Sequence, residues 1–359
     1  MKIIQRYVLQ ELWAPFILCL VTLNFIFMGG YLVRAASFII GRGVPFIDTM
    51  YVLILALPEM VSYTVPTSLL TAVLIVFGNF SQNNEIRAMK ASGLHPFLVM
   101  TPAFLLGLGF SFAMFVFNDN VATNAGFLLR KTTKQMLIKH PMAMIEPGRF
   151  VNLNDSIIFH AKEVDGNKIR DVVAIENEGD DKPVRTIIAE SGEIVTSEDQ
   201  TRIQIKLYDG SVSDSSDQSV QAIQFQTYEF PSLGQDDIRQ MKKKTRDLSL
   251  AELLFKLPFQ DNDRDKKELW SAFHQRIAFS FGCFVFVFIG IPAAIIVHRG
   301  EIVLSFAISM GCASLYYVLF VGAKTIAVEG YLPPVVAFWI PNVLLFGLGL
   351  FLLRKSYVS

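Results

Sequence analysis

The chain is poor in the residues that carry out chemistry. It has three cysteines, Cys19, Cys283 and Cys312, each in an apolar run. That leaves no disulfide framework and no thiolate metal site; single buried cysteines behave as small hydrophobes. The five histidines (His95, His140, His160, His274, His298) have no ligand-like spacing, so no metal is expected. There is no G-x-x-x-x-G-K-[ST], so the chain itself should hold no ATP, and no G-x-S-x-G, H-E-x-x-H or C-x-x-C occurs. No catalytic residue and no bound cofactor is expected. Net charge is zero, which gives no reason to expect nucleic acid. Asn154 opens an N-D-S tripeptide, a glycosylation pattern too common by chance to carry weight.

What the chain does have is apolar length. Of its residues, 52% are hydrophobic and 31 are phenylalanines, well above an ordinary soluble domain. Charge is confined: 47 of the 64 acidic and basic residues fall between Asp119 and Ser271. Two membrane blocks therefore flank a water-soluble one. A crossing helix needs about 20 apolar residues, and six such runs are present. They are Leu12 to Val33, one within Met50 to Phe80, Phe97 to Phe117, Ala272 to Val297, Ile302 to Ile326 and Leu332 to Leu353. The second is long enough that a surface helix near Met50 to Leu57 is expected, with the crossing after Pro58 and Pro66. The first reads as an uncleaved anchor, because no small-x-small site follows and Arg34 comes next.

Basic residues in short loops set orientation. With the N-terminus inside, the inner side holds Lys2, Arg6, Arg87, Lys90, Arg299, Arg354 and Lys355, against Arg34, Arg42 and Lys324 outside. Both termini are then inside and the charged block outside. The expected fold is a polytopic α-helical membrane protein with an inserted extracytoplasmic all-β, jellyroll-like domain. The segments are 1–118 (three spans, with an inner-face helix over 82–93), 119–271 (the β domain with helical connectors) and 272–359 (three more spans). In the β block, "SIIFHAKEV", "DVVAIENE", "VRTIIAES", "TRIQIKLYDG" and "VQAIQFQTYEF" read as strands separated by turn-rich stretches. "RIQIKL" alternates, with Ile203, Ile205 and Leu207 on one face. Ser249 sits three residues before Glu252, the spacing of a capping box.

Four constellations have a bland and a sharp reading. "NNEIRAMKASG" (Asn83 to Gly93) predicts a short helix capped by Ser81, Asn83 or Asn84 and ended by Gly93. It is either an amphipathic turn on the lipid surface or a knob offered to a cytosolic partner. Arg34, with Arg42 near it, is a snorkelling end charge or a contact for an anionic amphiphile. Glu59, between Pro58 and Pro66, is an intramembrane acid or a helper for the backbone groups the prolines disturb. Ser305, Ser309 and Ala313, like Gly29 and Gly30, allow close helix packing or form a seam that parts as a gate.

Several stretches resemble the LptF/LptG permease family of lipopolysaccharide-export ABC transporters. These are "QRYVLQELWAPF", "LPEMVSYTVPTSLL", "NNEIRAMKASG" with its E-x-x-x-M-x-A-x-G pattern, "FHQRIAFSFGCFVFVFIGIP" and "GYLPPVVAFWIPNVLLF". The resemblance covers nearly the whole chain and is weaker in the β block. It implies a half-transporter in a bacterial inner membrane. Its implied partners are a homologous second permease, a dimeric cytosolic ABC ATPase that holds the ATP and Mg, a periplasmic bridge protein and lipopolysaccharide among the membrane lipids. It implies that Glu85, Ile86, Arg87, Met89 and Lys90 couple to the ATPase. Arg34, Arg42, Gly30 and Ser309 would meet the lipid substrate, and Ile203, Ile205, Phe225 and Tyr228 its periplasmic path. The runner-up reading is a mechanotransmission permease that acts on periplasmic partners without moving lipid through its spans. A membrane-bound lipid enzyme is a third class, disfavoured because no His, Ser or acid cluster converges.

Overall fold

A computed structural model describes residues 2–42, 44–139, 147–154, 157–176, 184–196, 202–216, 219–230, 233–234, 241–260, 262–297 and 302–358. They form two compact units. One comprises Met1–Gly30, Leu55–Phe127 and Lys243–Ser359; the other comprises Tyr31–Ile54 and Leu128–Lys242.

Six helices among the described residues are long and apolar enough to cross a membrane. Four helices come first: α1 (Lys2–Arg42), α2 (Phe46–Gln82), the short α3 (Glu85–Ala91) and α4 (Pro96–Phe117). A π-turn at Asn118–Ala122 leads into α5 (Thr123–Lys139). Beyond the strands lie α6 (Leu250–Lys256), α7 (Asp263–Val297), α8 (Ile302–Val328) and α9 (Pro334–Val358).

The expected break in the second span does not occur. α2 runs as one helix through Pro58 and Pro66. A proline removes one backbone donor, whereas unwinding a helix in hydrocarbon would strand several groups.

The first unit has a large apolar core. Val8, Leu12 and Phe16 of α1 meet Leu69 to Phe80 of α2, Val99 and Ala103 of α4, and the buried faces of α7, α8 and α9. Gly290 of α7 lets α2 come close, since a Cβ there would stand 2.9 Å from Leu70 Cδ1 and 3.1 Å from Val73 Cγ1. Polar pins cross the helices. Asn24 Nδ2 donates to Thr64 Oγ1 (2.9 Å), Thr71 Oγ1 to Ser309 Oγ (2.7 Å), and Asn342 Nδ2 to the Ala278 carbonyl (2.8 Å). Each such bond contributes about 0.6 kcal/mol in a membrane setting, so their value lies mainly in fixing register.

The second unit carries an antiparallel sheet of β1 (Phe150–Asn154), β2 (Ile157–Asp165), β3 (Lys168–Glu176), β4 (Val184–Thr196), β5 (Arg202–Ser216) and β6 (Ser219–Glu229), neighbours in that order, with β7 (Leu233–Gly234) on β5. The meander bends back on itself. In β2, β3 and β4 the inward positions step by three at one common level, from Ala161 to Val164, Ile169 to Val172 and Ala189 to Gly192. Asp171 and Asp209 lie at that level with φ of 49° and 52°. An odd step at a bend keeps the same face inward on both sides of it. The consequence is visible at Phe159 of β2, whose ring lies 6.2 Å from that of Phe230, just past β6. Four strand spacings in a flat sheet would part them by about 19 Å. Gly192 leaves room at the crease, since a Cβ there would lie 2.7 Å from Leu207 Cδ2.

Candidate functional site

The short helix between α2 and α4 has one buried face, one exposed polar face and a closed C-terminal end. Asn84 enters it in the left-handed region, φ 56°, and its side chain does not cap the helix as expected; Asn84 Oδ1 accepts instead from Arg87 Nη1 at 3.2 Å. The exit follows expectation. Gly93 takes φ 80°, its N–H reaches the Lys90 carbonyl (3.0 Å) and the Leu94 N–H that of Met89 (3.1 Å). This paired closure is a Schellman motif, which only a residue at ease with positive φ completes without strain.

Ile86 is buried in the helical core, and Met89 packs on it. These two hold α3 down, so Ile86 is an anchor and not an offered contact. Arg87, Ala88, Lys90, Ala91 and Ser92 are exposed. Glu85 is half-buried, and its Oε2 accepts from Tyr7 Oη of α1 at 3.4 Å. The acid is thus tied to a second helix while its neighbours face outward.

The expected lipid-contact residues are divided between the two units. Gly30 is exposed, and nothing lies within 4 Å of where its Cβ would be. Arg34 is exposed in the second unit. The side chain of Arg42 lies outside the described residues. Ser309 is the clear departure: it is fully buried, accepting from Thr71 and donating to the Phe306 carbonyl at 2.8 Å. Ser305 and Ala313 share that inward face, so the small-residue row is turned into the chain's own core, with Ser309 against α2. The opposite face of α8 is open: Gly311 has nothing near it, and Leu315, Val318 and Val321 are exposed. Glu59 is exposed on α2.

In the β unit, Ile205 is buried in the core, whereas Phe225 and Tyr228 are half-buried against it with rings 5.5 Å apart. The side chain of Ile203 lies outside the described residues. Ile223, two positions before Phe225 on the same face, is 66% exposed. The apolar face is closed under β2 to β4 and open at β6.

Sequence reasoning missed a polar junction where α4 meets the π-turn. Asp119 Oδ1 accepts from Arg276 Nη1 of α7 (2.8 Å) and from the Leu250 N–H at the start of α6 (2.7 Å). Arg276 Nη2 also donates to the Arg246 carbonyl at 3.0 Å. Next to it, Asn118 Oδ1 accepts from Ser62 Oγ (2.6 Å), and Asn118 Nδ2 donates to Ser280 Oγ (3.2 Å). The available signal was an arginine near the start of an otherwise apolar run, which requires a partner. π-turns often mark functional positions. Among the described residues no group of three or more His, Cys, Asp or Glu is placed to hold a metal.

Six membrane-length helices interrupted by an antiparallel β domain define a multi-pass membrane protein. The model of one family, lipopolysaccharide export system permease LptF/LptG, matches residues 6–355. The chain belongs to that family. It is also similar to an uncharacterized protein of Rickettsia prowazekii (strain Madrid E), 20% identical over 156 residues, which are 43% of this chain and 43% of that protein. The match spans less than half the length of that relative.

Proposed function

We propose that this chain is one half of the membrane part of a transporter that lifts lipopolysaccharide out of the inner membrane, and that it takes its work from a separate ATPase through α3. The observation that carries this reading is the build of α3. It is a closed helix anchored by Ile86, with Arg87 and Lys90 facing out and Glu85 bonded back to α1. An ATPase pair that changes shape shifts this chain only through contacts that differ between its two states. A rigid contact tied to α1, α2 and α4 passes such a difference to the helices that would line the lipid cavity.

The other expected roles fit the same reading. The open faces of α1 and α8 suit a homologous second permease, with lipid entering between them. Arg34 would meet a phosphate of the lipid headgroup. The β domain's face left open at Ile223, Phe225 and Tyr228 would shield acyl chains, whose exposure to water costs about 25 cal/mol per Å², before a periplasmic bridge protein receives them. Both termini and α3 would then be cytoplasmic, the β domain periplasmic, and ATP and Mg would belong to the ATPase alone. The open β6 face favours movement of lipid over the purely mechanical alternative, which has no use for an unfilled apolar surface.

The test is Glu85→Arg in the full complex, reconstituted in vesicles with lipopolysaccharide. ATPase binding or stimulation and lipid release should both drop by at least tenfold. Normal values for both would remove α3 from the mechanism.

A further inference from the structure

The connector that returns from the β domain to the membrane helices wears its apolar surface outside. Its inward side is ordinary: Leu253 of α6 is fully buried with Leu248 and Leu269. The outward side is not. Leu254 is 49% exposed, Phe255 72%, and Phe259, in the tight turn after α6, also 72%. The Phe255 and Phe259 rings lie 5.6 Å apart and form one patch. Lys256 stands exposed between them. α6 opens with the expected capping box, Glu252 N–H to Ser249 Oγ at 3.3 Å and Ser249 N–H to Glu252 Oε2 at 2.7 Å. The helix is therefore well formed, and its exposed side chains are not those of a frayed end.

The depth of this patch follows from its bonds. α4 has 22 residues, about 33 Å of helix, and spans a hydrocarbon layer of about 30 Å. Asp119 comes two residues after α4 ends, and its carboxylate accepts the Leu250 N–H that begins α6. The same carboxylate holds Arg276, which marks that level on α7. α6 thus starts where α4 leaves the apolar layer, at the end of α4 away from α3. Trp270 is 41% exposed on α7, about 9 Å along the helix from Arg276, as in the aromatic belts found at membrane interfaces.

We infer that α6 and the turn after it lie in the headgroup–acyl boundary of the leaflet at that end, with Leu254, Phe255 and Phe259 sunk among the lipids. The occupant of the patch is phospholipid. Continuity decides this: the patch begins at the depth where the lipid-facing surface of the helices stops. Its makeup agrees, because aromatic and leucine side chains beside a lysine are the composition of helices that lie in an interface. The wedge holds the connector in the membrane plane. The inference rests on the helices crossing a membrane and is independent of what is transported.

The test places a photoreactive benzoyl-phenylalanine at position 255, and separately at 259, in the full chain assembled in native membranes. The same probe at Val343, exposed on α9, provides the lipid-facing reference. Mass spectrometry after illumination should show phospholipid adducts at 255 and 259, at yields within about threefold of the reference. Adducts to another protein chain at both sites would assign the patch to a protein partner and overturn the inference. No adduct at either site, in membranes where position 343 captures phospholipid, would place the patch in water and overturn it equally.

Discussion

α2 and α8 are both apolar and both long enough to span, yet the core of α2 is 89% buried inside the chain and that of α8 only 22%. The difference lies in what punctuates the apolar run. α2 spreads hydroxyls around its surface, with Ser62, Thr64, Thr67, Ser68 and Thr71 all buried, and four of them bond to α1, the π-turn and α8. α8 buries only Ser305 and Ser309 of its small polar residues, both on one side, and leaves Ser314 exposed with Leu315, Val318 and Val321 on the other. Hydrophobicity decides that a helix enters the membrane; the distribution of small and hydroxyl side chains decides which of its faces meet protein. α2 is an axle for its own chain, and α8 presents a face to something else.

Substitutions on the two sides of that divide sharpen the contrast. The largest loss is expected where a charge pair is buried between the end of α4 and α7. Arg276 and Asp119 have side chains only 11% and 17% exposed. Asp119→Ala should destabilise the chain by about 3 kcal/mol, because it leaves a buried arginine unpaired. Thermal unfolding in nanodiscs would show it as a lower Tm. Next, Gly290→Val at the contact of α7 with α2 should cost about 1–3 kcal/mol through overpacking. In contrast, Val318→Ala on the open face of α8 should change the stability of the isolated chain by less than about 0.5 kcal/mol. An equal Tm loss for Gly290→Val and Val318→Ala would erase the distinction between axle and open face.

The smallest effect is a pH dependence confined to the connector. Hydrogen bonding to Lys243, then to the Ser249 N–H, holds the Glu252 carboxyl below its usual range. A depressed folded pKa means that the box's contribution is present above the unfolded value, about 4.3, and is lost as pH falls through the folded one. Amide exchange across α6, corrected for its intrinsic pH dependence, should therefore quicken below about pH 4, and Glu252→Gln should flatten that response.

The contrast also shows what the sequence made legible. The six spans, the strands and the Ser249–Glu252 box were readable, since each depends on local period or spacing. Of the candidate site, the exposure of Arg87 and Lys90 and the Gly93 stop followed from helical phase. The facing of Ser309 did not. A row of small residues announces a close neighbour without naming which one, and here it is Thr71, 238 positions away. Pro58 and Pro66 misled for a related reason: their local tendency to break a helix is overruled by the lack of water to receive freed backbone groups. The Asp119–Arg276 pair joins residues 157 apart, a separation that no local pattern spans.

The account stands or falls on whether α3 meets an ATPase. The direct measurement is cross-linking in native membranes with a maleimide–succinimidyl ester reagent, which joins the thiol of Ala88→Cys, an exposed position on α3, to a neighbouring lysine; two of the native cysteines, Cys19 and Cys283, are buried. The account predicts one major adduct, to a nucleotide-binding subunit, whose yield changes when ATP is trapped. A thiol at position 88 that reacts freely with a water-soluble maleimide yet never links to such a subunit would contradict it.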